Sequence, residues 1–170
     1  MYRDKSDLIT WSNTFSCGIK LIDDQHRHLV NLVNEMYRHI PGNGKQELEY
    51  FVDIIQEADN YTKVHFETEE KIMKATGFPG FTEHQNEHKK FIAIVTKNFT
   101  DSAQGKRVSL CSFTKFLKEW ILAHIAVMDK QYFVYLKKIA TLKMDGKLSI
   151  TKADIPASNR ENDEALREIA

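Results

Sequence analysis

Apolar residues recur along this chain at intervals of three and four, the mark of helices with one buried face. Four stretches carry the pattern. The first runs from about Asp23 to His39, with Leu29, Leu32, Val33 and Met36 on one stripe. The second runs from about Gln46 to Ala75 and carries Phe51, Ile54, Ile55, Ala58, Tyr61, Phe66, Ile72 and Met73. The third runs from Glu83 to about Thr100, with Phe91, Ile92, Val95 and Phe99; Thr82 and Gln85 predict a capping box at its start. The fourth runs from about Leu110 to Leu142, with Phe113, Phe116, Leu117, Trp120, Ile121, Ile125 and Met128. Turn sequences separate them: Pro41 to Gly44, Gly77 to Gly80, and Ser102 to Lys106, while Asp145-Gly146 closes the last. Four amphipathic helices on short connections predict an all-α, up-down-up-down four-helix bundle over residues 21–144. Residues 1–20, with Trp11, Phe15 and Ile19, read as an N-terminal arm over that bundle. Residues 145–170 read as a C-terminal tail, aperiodic at first, with Ser158 or Asn159 able to cap a short polar helix.

Composition narrows the setting. A chain of 170 residues, 42% hydrophobic, with three prolines and seven glycines, can bury one core and favours long helices. The formal charge is zero, which excludes a broad basic surface for nucleic acid or anionic lipid. Two cysteines, Cys17 and Cys111, are too few for a disulfide framework and read as reduced thiols. No signal-peptide core precedes Asn13 and no run of about 18 apolar residues occurs, so a cytoplasmic domain without membrane insertion is expected.

The histidines change the picture. Of seven, His28 lies about 200° from His26 and His39 lies at a helix end, so both are expected at the surface. The other five fall at one level of the bundle. His65 and Glu69 share a helix face, as do His84 and His88, and the two pairs stand equally far from the turn at Gly77. The same reckoning from the turn near Gly105 brings His124 and Asp129 to that level, and from the first turn brings His26 within about one turn of His65. Glu70 points about 100° away from Glu69, which leaves Glu69 the preferred ligand. Five imidazoles and two carboxylates exceed the four ligands of a structural zinc site. They suit two metals joined by carboxylates, and the donor types suit iron, zinc or manganese. Without metal, such a set would be very costly in a bundle core. One spacing is awkward: His124 and Asp129 are five apart, about 140° round an ideal helix. A π-bulge between Ile125 and Asp129 is therefore expected. Glu-x-x-His pairs of ferritin-like proteins, His-Glu-x-x-His, Gly-rich phosphate loops and nucleophile elbows are all absent, so the domain itself reads as a binder and not an enzyme.

These motifs resemble the hemerythrin family, in its bacterial branch, over about residues 10–140. Gly18-Ile19 with Ile22-Asp23-Asp24-Gln25-His26 is similar to the first-helix signature, and His65-Phe66-Glu67-Thr68-Glu69-Glu70 to the second. Phe78-Pro79-Gly80-Phe81 leading to His84 and His88 matches the third; Trp120 to Ile125, then Asp129-Lys130, matches the fourth. The resemblance implies one iron on His84, His88 and His124 and another on His26 and His65, with Glu69, Asp129 and an oxo or hydroxo group bridging them. It also implies that O2 binds at the two-histidine iron. Ile22, Leu29, Ile72, Met73, Ile92, Trp120, Ile121 and Ile125, one turn from the ligands, are then expected to wall the oxygen pocket, a role compatible with ordinary core packing. Tyr61, one turn before His65, is either a hydrogen-bond partner of a ligand or a plain core tyrosine.

Such a site serves a sensor, an oxygen carrier or store, or a di-iron peroxidase or nitric-oxide reductase. The tail favours the sensor. Glu164-Ala165-Leu166-Arg167-Glu168-Ile169-Ala170 resembles the short helix that leads into GGDEF-type diguanylate cyclase domains. An effector domain beyond the tail, or a homodimer formed through it, is the corresponding partner expectation.

Overall fold

A computed structural model describes residues 6–38, 45–106 and 108–144, with side chains described at 6–38, 52–106 and 108–141. Helix α1 spans Lys20–Arg38, α2 spans Lys45–Thr76 and α3 spans Phe81–Ala103. The fourth rod is α4 (Leu110–Ala123), a π-helical turn (His124–Met128) and α5 (Asp129–Met144). No strand occurs among the described residues. The turn at Pro41 to Gly44, His39, the side chain of Phe51 and the whole tail lie outside the described residues.

The chain is all-α, and its apolar stripes meet as expected. Two clusters of buried side chains form, one built on Leu29, Val33, Met36, Ile55, Phe91, Phe113, Leu117 and Ile121. The other holds Cys17, Ile19, Ile22, Ile72, Met73, Tyr132, Phe133 and Leu136. Between them lies the polar layer described below, so the ligand-type side chains are sealed by hydrocarbon at both ends. Cys17 is buried and Cys111 exposed, both as free thiols.

The turn from α2 to α3 is fixed by backbone chemistry. Gly77 adopts φ +65°, the left-handed conformation that ends a helix without a Cβ clash. The Gly77 N–H donates to the Lys74 carbonyl and the Phe78 N–H to the Met73 carbonyl, the paired bonds of a Schellman motif. Tyr135 of α5 donates to the carbonyls of Thr76 and Gly77, each at 2.9 Å, and so ties this turn to the fourth rod. The predicted capping box does not form. Helix α3 already begins at Phe81, with Gly80 at its N-cap and no side-chain cap, so Thr82 lies inside the first turn. Gln85 instead donates across to Glu70 on α2.

The arm is a built element. The amide of Asn34 on α1 pairs both ways with the backbone of Ile9, at 2.9 Å each. Arg27 stands over the Trp11 ring, 4.7 Å from its centroid. At the entry to α1 the buried Asp23 accepts from the Cys17 N–H at 2.8 Å, the Gly18 N–H at 3.3 Å and the Ser16 hydroxyl at 2.5 Å. Burial works against the ionised carboxylate, but these three donors outweigh it and hold Asp23 below its usual range. A depressed pKa adds stability above the unfolded value, near 3.9, that is lost as pH falls through the lower folded value. Asp23→Asn is therefore expected to cost about 1–3 kcal/mol at pH 7. Urea unfolding of both apoproteins checks this, and the gap should narrow as pH falls below the unfolded carboxylate's value.

Candidate metal centre

Each helix delivers its part of the polar layer for a local reason. On α2, His65 and Glu69 are one turn apart and both point inward; on α3, His84 and His88 do the same. On the fourth rod the five-residue gap is closed by the predicted distortion. The Asp129 N–H reaches back to the His124 carbonyl, five residues away, and the π turn covers His124–Met128. Five residues thus fill a turn that four would fill in an α-helix, and His124 and Asp129 come to one face. His26 completes the set from α1, fully buried.

Seven side chains converge. Two groups arise, Glu69 with His84, His88 and His124, and His26 with His65, Glu69 and Asp129; within each, the donor atoms lie within 4.8 Å of one another. Glu69 belongs to both. Its Oε2 stands 3.3 Å from His88 Nε2, 3.6 Å from His84 Nε2 and 3.7 Å from both His124 Nε2 and His65 Nε2. Asp129 also faces both ways: Oδ1 lies 3.0 Å from His124 Nε2 and 3.4 Å from His84 Nε2, while Oδ2 lies 3.1 Å from His26 Nε2. Two donors each about 2.1 Å from a shared metal lie roughly 3.0 Å apart at a right angle and about 4.2 Å apart when opposite, a range that brackets these spacings.

Hydrogen bonding tests the fit of a metal. Nε2 of His26, His65 and His84, Oε2 of Glu69 and both oxygens of Asp129 are buried with no hydrogen-bond partner. Buried polar atoms without partners are costly, and here they share one interior point. Cations there would satisfy all of them, and the donor set, imidazole with carboxylate, is that of iron, zinc or manganese.

The charges of the layer follow from the same geometry. Burial pushes His65 down to about 3, against the pull of Glu69, so its ring is neutral. Burial also opposes charge on His124, but the Asp129 carboxylate beside it, helped by Glu69, raises it to about 10. Glu69 lies well below the carboxylate range: burial resists ionisation and the surrounding imidazoles overcome it. His124 is therefore an imidazolium beside two carboxylates, and a metal taking its Nε2 must displace that proton.

Three flanking residues escaped the sequence reading. Gln25 Oε1 lies 3.0 Å from His65 Nδ1, and Glu70 Oε1 lies 3.1 Å from His88 Nδ1. Tyr132, fully buried, donates to Glu69 Oε1 at 2.8 Å. Gln25 and Glu70 are sequence neighbours of the inward-facing His26 and Glu69, and the 100° step between neighbours aims them at the adjacent helix. Tyr132 follows Asp129 by three and shares its face. Of the two parts foreseen for Tyr61, the ligand bond does not form: half-buried, it packs on the first cluster and holds its ring 4.0 Å from that of His28. Aromatic rings also brace two imidazoles, Phe66 stacked on His88 at 3.7 Å and Trp120 on His124 at 4.3 Å. Of the expected pocket residues, Ile22, Leu29, Ile72, Met73, Ile121 and Ile125 are buried, whereas Ile92 and Trp120 are half-buried at the edge of the first cluster.

Known proteins are similar to this chain in sequence and fold. The family profile described as the hemerythrin HHE cation binding domain matches residues 17–136. The bacteriohemerythrin of Methylococcus capsulatus is 26% identical over 126 residues, covering 74% of this chain and 94% of that protein. The bacteriohemerythrin of Clostridium acetobutylicum is 28% identical over 127 residues, covering 74% and 98%. Among solved structures, wild-type hemerythrin superposes with a TM-score of 0.67 at 26% identity, covering 74% of this chain and 95% of that one. A hemerythrin point mutant, with one leucine replaced by alanine, superposes with a TM-score of 0.69 at 26% identity, covering 75% and 95%. With the family profile running through all seven converging side chains, the chain belongs to the hemerythrin family of cation-binding domains.

Proposed function

We propose that this domain binds dioxygen reversibly at a di-iron centre and reports oxygen or redox state through its C-terminal tail. The observation that carries the oxygen reading is the pair of donor groups sharing one carboxylate, with three imidazoles in one and two in the other. His84, His88 and His124 would hold one iron and His26 and His65 the other, with Glu69 and Asp129 spanning both. Five imidazoles divided in this way leave the His26–His65 side one protein donor short, which is where an external ligand fits. When bound, the iron pair supplies the electrons that dioxygen takes up. The protein's share is to fix the donors and exclude water. Ile22, Leu29, Ile72, Met73, Ile92, Trp120, Ile121 and Ile125 would form that apolar wall, which favours a neutral diatomic over charged ligands.

Signalling would use the fourth rod. His124 and Asp129 bracket the π turn, and α5 continues from Asp129 toward the tail. A change in the span between those two side chains is then a change in how α5 sits, provided the ligand favours one arrangement. The tail sequence from Glu164 to Ala170, similar to the lead-in helix of diguanylate cyclases, makes an effector of that class, or a homodimer through the tail, the recipient.

Anaerobic iron addition followed by air tests the oxygen reading. Two irons per chain are expected, with oxygen-dependent visible bands that are absent from His65→Ala. Fewer than two irons, or a spectrum indifferent to oxygen, would overturn it. The signalling reading expects protease to cut the tail at different rates in reduced and oxygenated protein. Equal rates would remove it, and sustained turnover of peroxide or nitric oxide with an electron donor would favour an enzyme.

A further inference from the structure

Two of the five imidazoles are held from outside by groups of different charge. A carboxylate only accepts, so the contact between Glu70 Oε1 and His88 Nδ1 places the proton on Nδ1 and leaves Nε2 bare toward the interior. The other Glu70 oxygen accepts from Gln85 Nε2 at 2.6 Å, and Gln85 Oε1 accepts from the surface Lys89 at 2.9 Å. The carboxylate is thus fixed at both oxygens. On the opposite side the outer partner is neutral. The Thr68 hydroxyl donates to the Val64 carbonyl at 2.8 Å, so its lone pairs face the Gln25 amide nitrogen at 3.4 Å. That orientation turns Gln25 Oε1 to His65 Nδ1, which must donate to it.

We infer that Glu70 and Gln25 are positioning residues that make the two halves of the centre unequal: an anion behind the three-histidine half, a neutral amide behind the two-histidine half. This rests on the di-iron reading above. An imidazole that donates to a carboxylate is the stronger donor to a metal through its other nitrogen. The half containing His88 therefore holds its metal tightly and in fixed geometry. The half containing His65 is the weaker donor set, and it is the half with a position to spare. Both residues leave the interior untouched. Neither is a ligand, and each acts through the ring it faces.

Anaerobic titration of the metal-free full chain with cobalt(II), followed by its visible bands, tests the inference without any oxygen chemistry. Wild-type protein is expected to take two cobalt ions in two resolvable steps. Glu70→Gln, which keeps the shape and removes the charge, should weaken the tighter step by about 10–100-fold and leave the weaker step unchanged. Gln25→Glu should do the reverse of this on the other half, tightening the weaker step and shifting its bands. An unchanged tighter step in Glu70→Gln would overturn the inference. So would equal weakening of both steps with a lower melting temperature of the metal-free protein, which marks a merely structural role. Fewer than two cobalt ions in the wild type would instead sink the di-iron reading itself.

Discussion

Glu69→Ala is expected to cost the protein both metals, not one. Glu69 is the member common to the two donor groups, and its Oε2 faces four of the five imidazoles at 3.3–3.7 Å. Loss of a partner outside the ligand set already lowers metal affinity by about 10–100-fold. Loss of a donor shared by two ions should exceed that at each. His65→Ala removes a donor from one group alone, so it should retain metal on the His84–His88–His124 side. Glu69 is a buried carboxylate held ionised by the imidazoles around it and by Tyr132. Deleting it leaves His124 charged beside Asp129 alone and orphans the Tyr132 hydroxyl, so the apoprotein should also lose about 1–3 kcal/mol. Elemental analysis after dialysis against iron or cobalt, with urea unfolding of the apoproteins, checks both parts. A Glu69→Ala protein that still retains one tightly bound metal per chain would refute the bridging position.

The polar layer was legible in the sequence because helices convert spacing into direction. His65 with Glu69, and His84 with His88, reveal a shared face by their spacing of four, and the turn at Gly77 sets the two pairs level. Even the irregular element was legible, since a gap of five between His124 and Asp129 demanded a wider turn and the π segment supplies it. What could not be read was anything decided by packing between helices at right angles to that face. Glu70 read only as a neighbour turned about 100° from Glu69, yet it lies against His88 because α3 packs closely on that flank of α2. Tyr61 and Tyr132 are both near ligands in sequence, but only Tyr132 is on the inward stripe of its helix at the level of Glu69. The capping box failed for a related reason. Local sequence allowed a start at Thr82, but Gln85 finds its partner across the interface in Glu70, and the chain enters α3 at Phe81.

Deleting a single residue from the fourth rod should have opposite effects on the two sides of Asp129. Within the π turn, five residues occupy one turn, and the exposed Val127 is among them. Removing Val127 leaves four residues for that turn, which an ordinary α-helix accommodates, so α4 and α5 keep their faces. His124 and Asp129 then stand four apart, still on one side. The protein should fold with close to wild-type stability, while its two metals bind in altered geometry, seen as shifted cobalt bands. Removing Val134, also exposed but more than a turn further on, cannot be absorbed without loss. Either the residues after it rotate by about 100°, or the π turn closes and the residues between it and the deletion rotate instead. The first takes Leu136 and Ile139 out of the core, the second Asp129, Tyr132 and Phe133, all buried. At about 1.5–3 kcal/mol for each apolar side chain, either loss is a large share of the stability of an ordinary domain, so this variant should be far less stable than the Val127 deletion. Circular dichroism and urea titration of the two deletions, one beside the other, measure the difference. Equal destabilisation would mean that the π turn is not a one-residue reserve, and that the span from His124 to Asp129 is held by the surrounding bundle instead.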